Sequence, residues 1–109
     1  ANLNALAGST LRELSPLGFR RELPTLIVVE AVLFYLSPPA KAALMAEFTA
    51  HLAQQPQARL VLTDNLAPFL RSPARADAAA YFDGFSAELL DHSSLWGGAI
   101  QFALVRSKS

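Results

Sequence analysis

The 109-residue chain contains no cysteine, one methionine and one tryptophan. Without cysteine it is neither a disulfide-stapled secreted module nor a zinc ribbon. Charge is scarce as well: only 17% of the residues are charged, and nine basic residues balance nine acidic ones. This composition argues against a disordered tail and against a strongly basic protein that binds nucleic acid.

Long apolar runs are missing too, although 52% of the residues are hydrophobic. No run reaches the roughly 18 residues of a transmembrane helix, and no signal-peptide pattern opens the chain. We therefore expect one cytoplasmic domain at most, with no membrane and no nucleic-acid partner. The chain also lacks a Gly-rich phosphate loop, a GxSxG elbow and an HExxH motif, so it offers neither a catalytic residue nor a metal ligand by motif.

The first half of the chain predicts a strand, a helix and a strand. Thr25–Glu30 is apolar and β-branched without alternation, which is typical of a parallel strand covered on both faces. Ser37 followed by Pro38 predicts the start of a helix that runs to about Gln54. Arg59–Asp64 predicts the second strand, and a crossover of this length makes the two strands parallel.

The second half predicts a helix over 74–85 and then two short strands, Glu88–His92 and Gly98–Arg106. These strands and their glycine-containing connection are typical of an antiparallel C-terminal hairpin. We expect the indole of Trp96 to fill a hydrophobic layer there. The whole order indicates an α/β fold, with a mixed sheet and helices on both faces.

Polar residues close the two parallel strands. In open α/β sheets, ligands bind outside the carboxyl ends of the strands, so Glu30 is a candidate ligand contact; its alternatives are an arginine partner or a helix cap. Asp64 and Asn65 follow the next strand and border the same crevice, unless they form an Asx-turn. Tyr35 walls that crevice or packs in the core.

The segment from Pro24 to Pro38 reads PTLIVVEAVLFYLSP. It resembles the signature of the leucine carboxyl methyltransferase family, which consists of class I S-adenosylmethionine-dependent methyltransferases. Asn2 and Leu3 resemble the family's Asp-Leu pair, with asparagine in place of aspartate. The segment 95–103 is similar to the closing hairpin of related bacterial members.

This resemblance implies that residues 1–109 form a single partial domain, the C-terminal half of a Rossmann-like methyltransferase sheet. The four predicted strands correspond to the fourth, fifth, sixth and antiparallel seventh strands of that sheet. Glu30, Asn2 and Leu3 are then cofactor contacts, and a second group lies on the substrate side: Tyr35, Asp64 and Asn65. The implied reaction transfers a methyl group from S-adenosylmethionine to an oxygen, expected to be a carboxylate of a small molecule or protein.

The resemblance leaves out the first three strands of the family, which carry its Gly-rich cofactor loop. A half-sheet exposes the edge of the Thr25–Glu30 strand, a feature that favours association. Three states follow: a fragment of a longer enzyme, inactive alone; a homodimer paired through that edge; or a diverged remnant with another partner. The alternative function is a non-catalytic α/β interaction module that pairs through the edge, and an unrelated α/β ligand-binding domain is the third possibility.

Overall fold

A computed structural model describes residue 11, residues 15–18, residue 20 and residues 22–108. Asn2 and Leu3 lie outside these residues. Within these ranges the strands are β1 (Leu26–Glu30), β2 (Arg59–Asp64), β3 (Ala87–Leu95) and β4 (Ile100–Ser107). The longer α-helices of the described residues are α1 (Pro38–Gln54) and α2 (Arg75–Asp83). Short 3-10 segments in the same ranges are Ser15–Leu17, Leu33–Tyr35, Ala67–Phe69 and Trp96–Gly98.

The strands form one mixed sheet in the order β1-β2-β4-β3. β1 and β2 are parallel, and β4 is antiparallel to both of its neighbours, β2 and β3. β3 therefore runs in the same direction as β1 and β2. The predicted α/β class, the parallel pair with its crossover helix and the C-terminal hairpin are confirmed.

Local signals explain where α1 begins and which face it buries. The Ser37 backbone is extended, its Oγ accepts a hydrogen bond from the Ala40 amide at 3.4 Å, and Pro38 occupies the first helical position. A hydroxyl N-cap followed by proline is a favoured helix start. Leu44, Phe48 and Leu52, spaced four residues apart, are buried on one side of the helix.

Burial alternates along β1, β2 and β4, and one face of the sheet is covered. The covered face carries Ile27, Val29, Leu60, Leu62, Ala103 and Val105. Both crossovers, β1-α1-β2 and β2-α2-β3, move in the same direction across the sheet. Right-handed connections then place both helices on the same face, because the hand of the crossover fixes the side.

The opposite face, which we call the open face, carries Leu26, Val28, Val61 and Leu104. Val28, Val61 and Leu104 lie in one row across three strands. Leu26 and Val28 are 64% and 59% exposed. We predicted helices on both faces of the sheet. Among the described residues this is not found, because no described helix covers β1 on the open face.

The turn between β3 and β4 corrects the prediction for Trp96. Trp96, Gly97 and Gly98 all have left-handed backbones, with φ values of 54°, 66° and 93°. Gly98 is needed in this turn, since a Cβ there would lie 2.6 Å from the Pro73 Cβ. The turn holds the Trp96 side chain in solvent, and the residue is 81% exposed. The prediction that its indole fills a hydrophobic layer is wrong.

Candidate functional site

Three strands end at the same edge of the sheet, which we call the carboxyl edge. β1 ends at Glu30, β2 at Asp64 and β3 at Leu95. The register pairs Glu30 with Thr63 across the two parallel strands, and pairs Asp64 with Gln101 at the start of β4. The sheet therefore brings the predicted polar residues to one edge, as parallel strands require.

Glu30 is the exposed last residue of β1. Its side chain falls on the open face, because it alternates with the buried Ile27 and Val29. None of the ion pairs within the described ranges involves Glu30, and the N-cap of α1 is Ser37. Among the described residues, neither alternative predicted for Glu30, an arginine partner or a helix cap, is found. Its carboxylate is accessible to a ligand at the carboxyl edge.

Asp64 is fully buried, and its carboxylate accepts hydrogen bonds from the backbone. Oδ2 accepts from the Val32 amide at 2.6 Å and from the Leu33 amide at 3.0 Å. Oδ1 accepts from the Asn65 amide at 2.8 Å. Three amide donors compensate a buried carboxylate for the water that it has lost. Asp64 therefore joins the end of β2 to the loop that follows Glu30, and it lies beneath the carboxyl edge.

Asn65 forms the Asx-turn that was the alternative to a ligand contact. Its Oδ1 accepts a hydrogen bond from the Ala67 amide at 3.0 Å, two residues along the chain. This bond fixes the start of the 3-10 segment Ala67–Phe69. The half-buried side chain of Asn65 still borders the carboxyl edge.

Tyr35 lies in the 3-10 segment that follows β1. Leu33 and Leu36, three residues apart, are buried and anchor the segment, whereas Tyr35 is 80% exposed. The core-packing alternative for Tyr35 is therefore not found. Its ring and hydroxyl are available on the surface of the loop that begins at Glu30.

The sequence interpretation missed a polar pair further along the carboxyl edge. His92 Nε2 and Gln101 Oε1 lie 2.8 Å apart, and Gln101 is only 1% exposed. With Gln101 Oε1 assigned as the acceptor, the proton of a neutral His92 is on Nε2. The alternation of β4 could have predicted a buried polar residue here, since it places Gln101 on the covered face with Ala103 and Val105.

A groove lies between α2 and β3, away from the carboxyl edge. It has a volume of about 380 Å³ and lies beside the beginning of β3 and the end of β4. Its lining is Ala76, Ala79, Ala80, Asp83, Ala87, Glu88, Leu89 and Lys108. Asp83 and Lys108 form an ion pair on its rim. The groove and the predicted site are thus different places on the molecule.

Within the described ranges, no cluster of three or more His, Asp or Glu side chains could hold a metal ion. None of the helices in these ranges is long and apolar enough to cross a membrane. Comparison with family models, curated proteins and solved structures gives no match for this chain.

Proposed function

We propose that this chain is the C-terminal half of an S-adenosylmethionine-dependent O-methyltransferase that resembles the leucine carboxyl methyltransferase family. The observation that carries the proposal is the position of Glu30 in the PTLIVVEAVLFYLSP segment. The glutamate of that signature is the exposed last residue of a parallel strand, where α/β sheets bind ligands.

The strand directions support the same proposal. The resemblance implies three strands that run in one direction and a final strand that runs against them. In the sheet, β4 is antiparallel to β2 and to β3, while β1 and β2 are parallel. Other α/β proteins also have mixed sheets of this kind, so the strand directions support the proposed fold. The position of Glu30 supports the proposed function.

The residues present fit one contact of the cofactor. Glu30 offers two acceptor oxygens to a ligand amine or a ribose hydroxyl, and its exposed position leaves room for either. S-adenosylmethionine supplies an electrophilic methyl group when bound. Because the sequence lacks the Gly-rich loop of such sites, the rest of the site must come from further polypeptide across the β1 edge. Asn2 and Leu3 remain proposed contacts to the adenine.

We propose a carboxylate as the methyl acceptor. A carboxylate is already ionised near neutral pH, so positioning and exclusion of water can drive the reaction without a strong base. Tyr35 and Asn65 are the proposed substrate-side residues, since both border the carboxyl edge. Cytoplasmic location remains a prediction from composition.

Calorimetric titration with S-adenosylhomocysteine tests the role of Glu30. We expect Glu30→Gln to weaken binding by about 10- to 150-fold, the equivalent of losing one charge-assisted hydrogen bond. Glu22→Gln is the matched control, because Glu22 is an exposed carboxylate before the other end of β1. Equal affinity of wild type and Glu30→Gln would refute the assignment. Absence of binding by the wild-type chain would show that it is a scaffold without a working site.

A non-catalytic interaction module is the second candidate, favoured by the open face. Leu26 and Val28 are exposed on β1, and β1 pairs only with β2 among the strands that the structure describes. A free edge beside an apolar face is a surface that can bind another polypeptide. Stable association without any affinity for S-adenosylhomocysteine would favour this candidate over the enzyme.

A further inference from the structure

The loop after β1 contains a strained residue. Ala31, which directly follows Glu30, has a left-handed backbone with φ of 53°. This conformation is unfavourable for a residue with a Cβ, and it persists only where the surroundings impose it. Ala31 is exposed, so packing of its own side chain does not impose it.

Hydrogen bonds from the end of β2 hold both sides of Ala31. Its amide donates to the Thr63 carbonyl at 3.0 Å. The next two amides, of Val32 and Leu33, donate to Asp64 Oδ2 at 2.6 and 3.0 Å. Three consecutive amides are therefore fixed by two consecutive residues that lie more than 30 positions later in the sequence.

We infer that Asp64 is a positioning residue, which holds the strained loop 31–33 so that the carboxylate of Glu30 is presented at the carboxyl edge. This assigns Asp64 a role away from the substrate, because its oxygens are occupied by backbone amides and its side chain is fully buried. The ligand part of this inference rests on the proposed function. The loop part rests on the geometry of the Asp64 carboxylate alone.

Amide hydrogen exchange tests the loop without any cofactor. In Asp64→Asn, the amides of Val32 and Leu33 should exchange at least 10-fold faster, while core amides such as that of Leu62 stay protected. Asp91→Asn is the matched control, because Asp91 Oδ1 also accepts the amide of the following residue, at 2.9 Å, but is exposed. Unchanged exchange at Val32 and Leu33, or equal loosening of Leu62, would overturn the inference.

Substitutions at Ala31 test the strain in the loop that Asp64 is inferred to hold. Ala31→Gly accepts a left-handed backbone without strain. In the Asp64→Asn background it should therefore slow the exchange of the Val32 and Leu33 amides by several-fold. Ala31→Val should loosen the loop although Asp64 is intact, because a β-branched residue resists this conformation. Ala31→Val is a single substitution with Asp64 intact, so it still tests the strained loop if Asp64→Asn fails to fold. The inference would be overturned if Ala31→Gly restored no protection in the Asp64→Asn background and Ala31→Val left the exchange of the Val32 and Leu33 amides unchanged.

The cofactor provides the functional readout. Asp64→Asn should weaken S-adenosylhomocysteine binding by about 10-fold, and Ala31→Gly in that background should recover most of it. A loosened loop with unchanged affinity would overturn the positioning role. If the wild-type chain does not bind the cofactor, it is a scaffold without a working site of its own, whereas the exchange experiment still decides whether Asp64 holds the loop.

Discussion

Val28 offers a direct test of the open face. Its side chain is 59% exposed in the middle of β1, beside Val61 of β2. Full burial of a valine or leucine side chain is worth about 1.5–3 kcal/mol, so burying the part of Val28 that is still exposed yields about 1–2 kcal/mol. Leu26, at 64% exposure, adds a similar amount. We therefore expect the isolated chain to associate through this face.

Val28→Lys should weaken that association by roughly 5- to 30-fold in dissociation constant, since the lost burial is about 1–2 kcal/mol per contact. The ammonium group would also resist transfer out of water. The monomer should remain folded, because the lysine can extend from an exposed position. Sedimentation velocity over a range of concentrations measures the mass distribution, against a monomer mass of 11.7 kDa.

Leu17→Lys is the control for an added positive charge, because Leu17 is 81% exposed outside the sheet. It should associate like wild type. A folded wild-type chain that stays monomeric at every concentration would refute the reasoning about the open face. Equal behaviour of Val28→Lys and Leu17→Lys would do so as well, and would leave pairing through the β1 edge as the mode of association.

Two further outcomes follow from individual side chains. Burial among aromatic rings raises the pKa of Tyr81 to about 12. In the unfolded chain the tyrosine pKa is about 10, so the unfolded chain releases this proton at lower pH than the folded one. The stability contributed by neutral Tyr81 should therefore be complete below about pH 10 and be lost as pH rises towards 12. Tyr35→Phe leaves Tyr81 as the single tyrosine, and an ultraviolet titration midpoint near 10 in that variant would contradict the burial argument. Gly98→Ala should destabilise the chain by about 1–3 kcal/mol more than Gly97→Ala, because both glycines are left-handed but only the Gly98 Cβ meets Pro73. Urea unfolding measures the difference, and equal midpoints for the two variants would show that the Pro73 contact has no cost.

Helix α1 and strand β2 could be predicted because their signals are local. Ser37 and Pro38 mark the beginning of α1, and the structure has the helix start at Pro38. The bounds of β2, Arg59–Asp64, agree with the prediction residue for residue. In both cases the signals lie within the element or directly before it, so no distant contact is needed to define it.

Trp96 and Asp64 could not be predicted because distant residues decide their environment. Exposure of Trp96 depends on a turn whose Gly98 packs against Pro73, 25 positions earlier. The role of Asp64 depends on the amides of Val32 and Leu33, which are separated from it by 32 and 31 positions. A sequence pattern shows that a carboxylate ends a strand, but it does not show which donors reach it.

Strand β1 is less covered in the structure than its sequence predicts. Its sequence is apolar on both faces, yet one face is exposed, so the pattern indicates a cover that the described residues do not supply. The Thr25 carbonyl accepts a hydrogen bond from the Arg59 amide, and the Ala31 amide donates one to the Thr63 carbonyl, so both residues face β2. Alternation therefore turns the backbone of Val28 towards the β1 edge that lies away from β2. Two copies paired antiparallel through that edge would be related by an axis perpendicular to the sheet. Their open faces would then lie on the same side, and neither would be covered. A partner that adds a strand to the edge and a helix across Val28 would satisfy both surfaces, which supports the proposal of a larger α/β sheet over that of a homodimer paired through the edge.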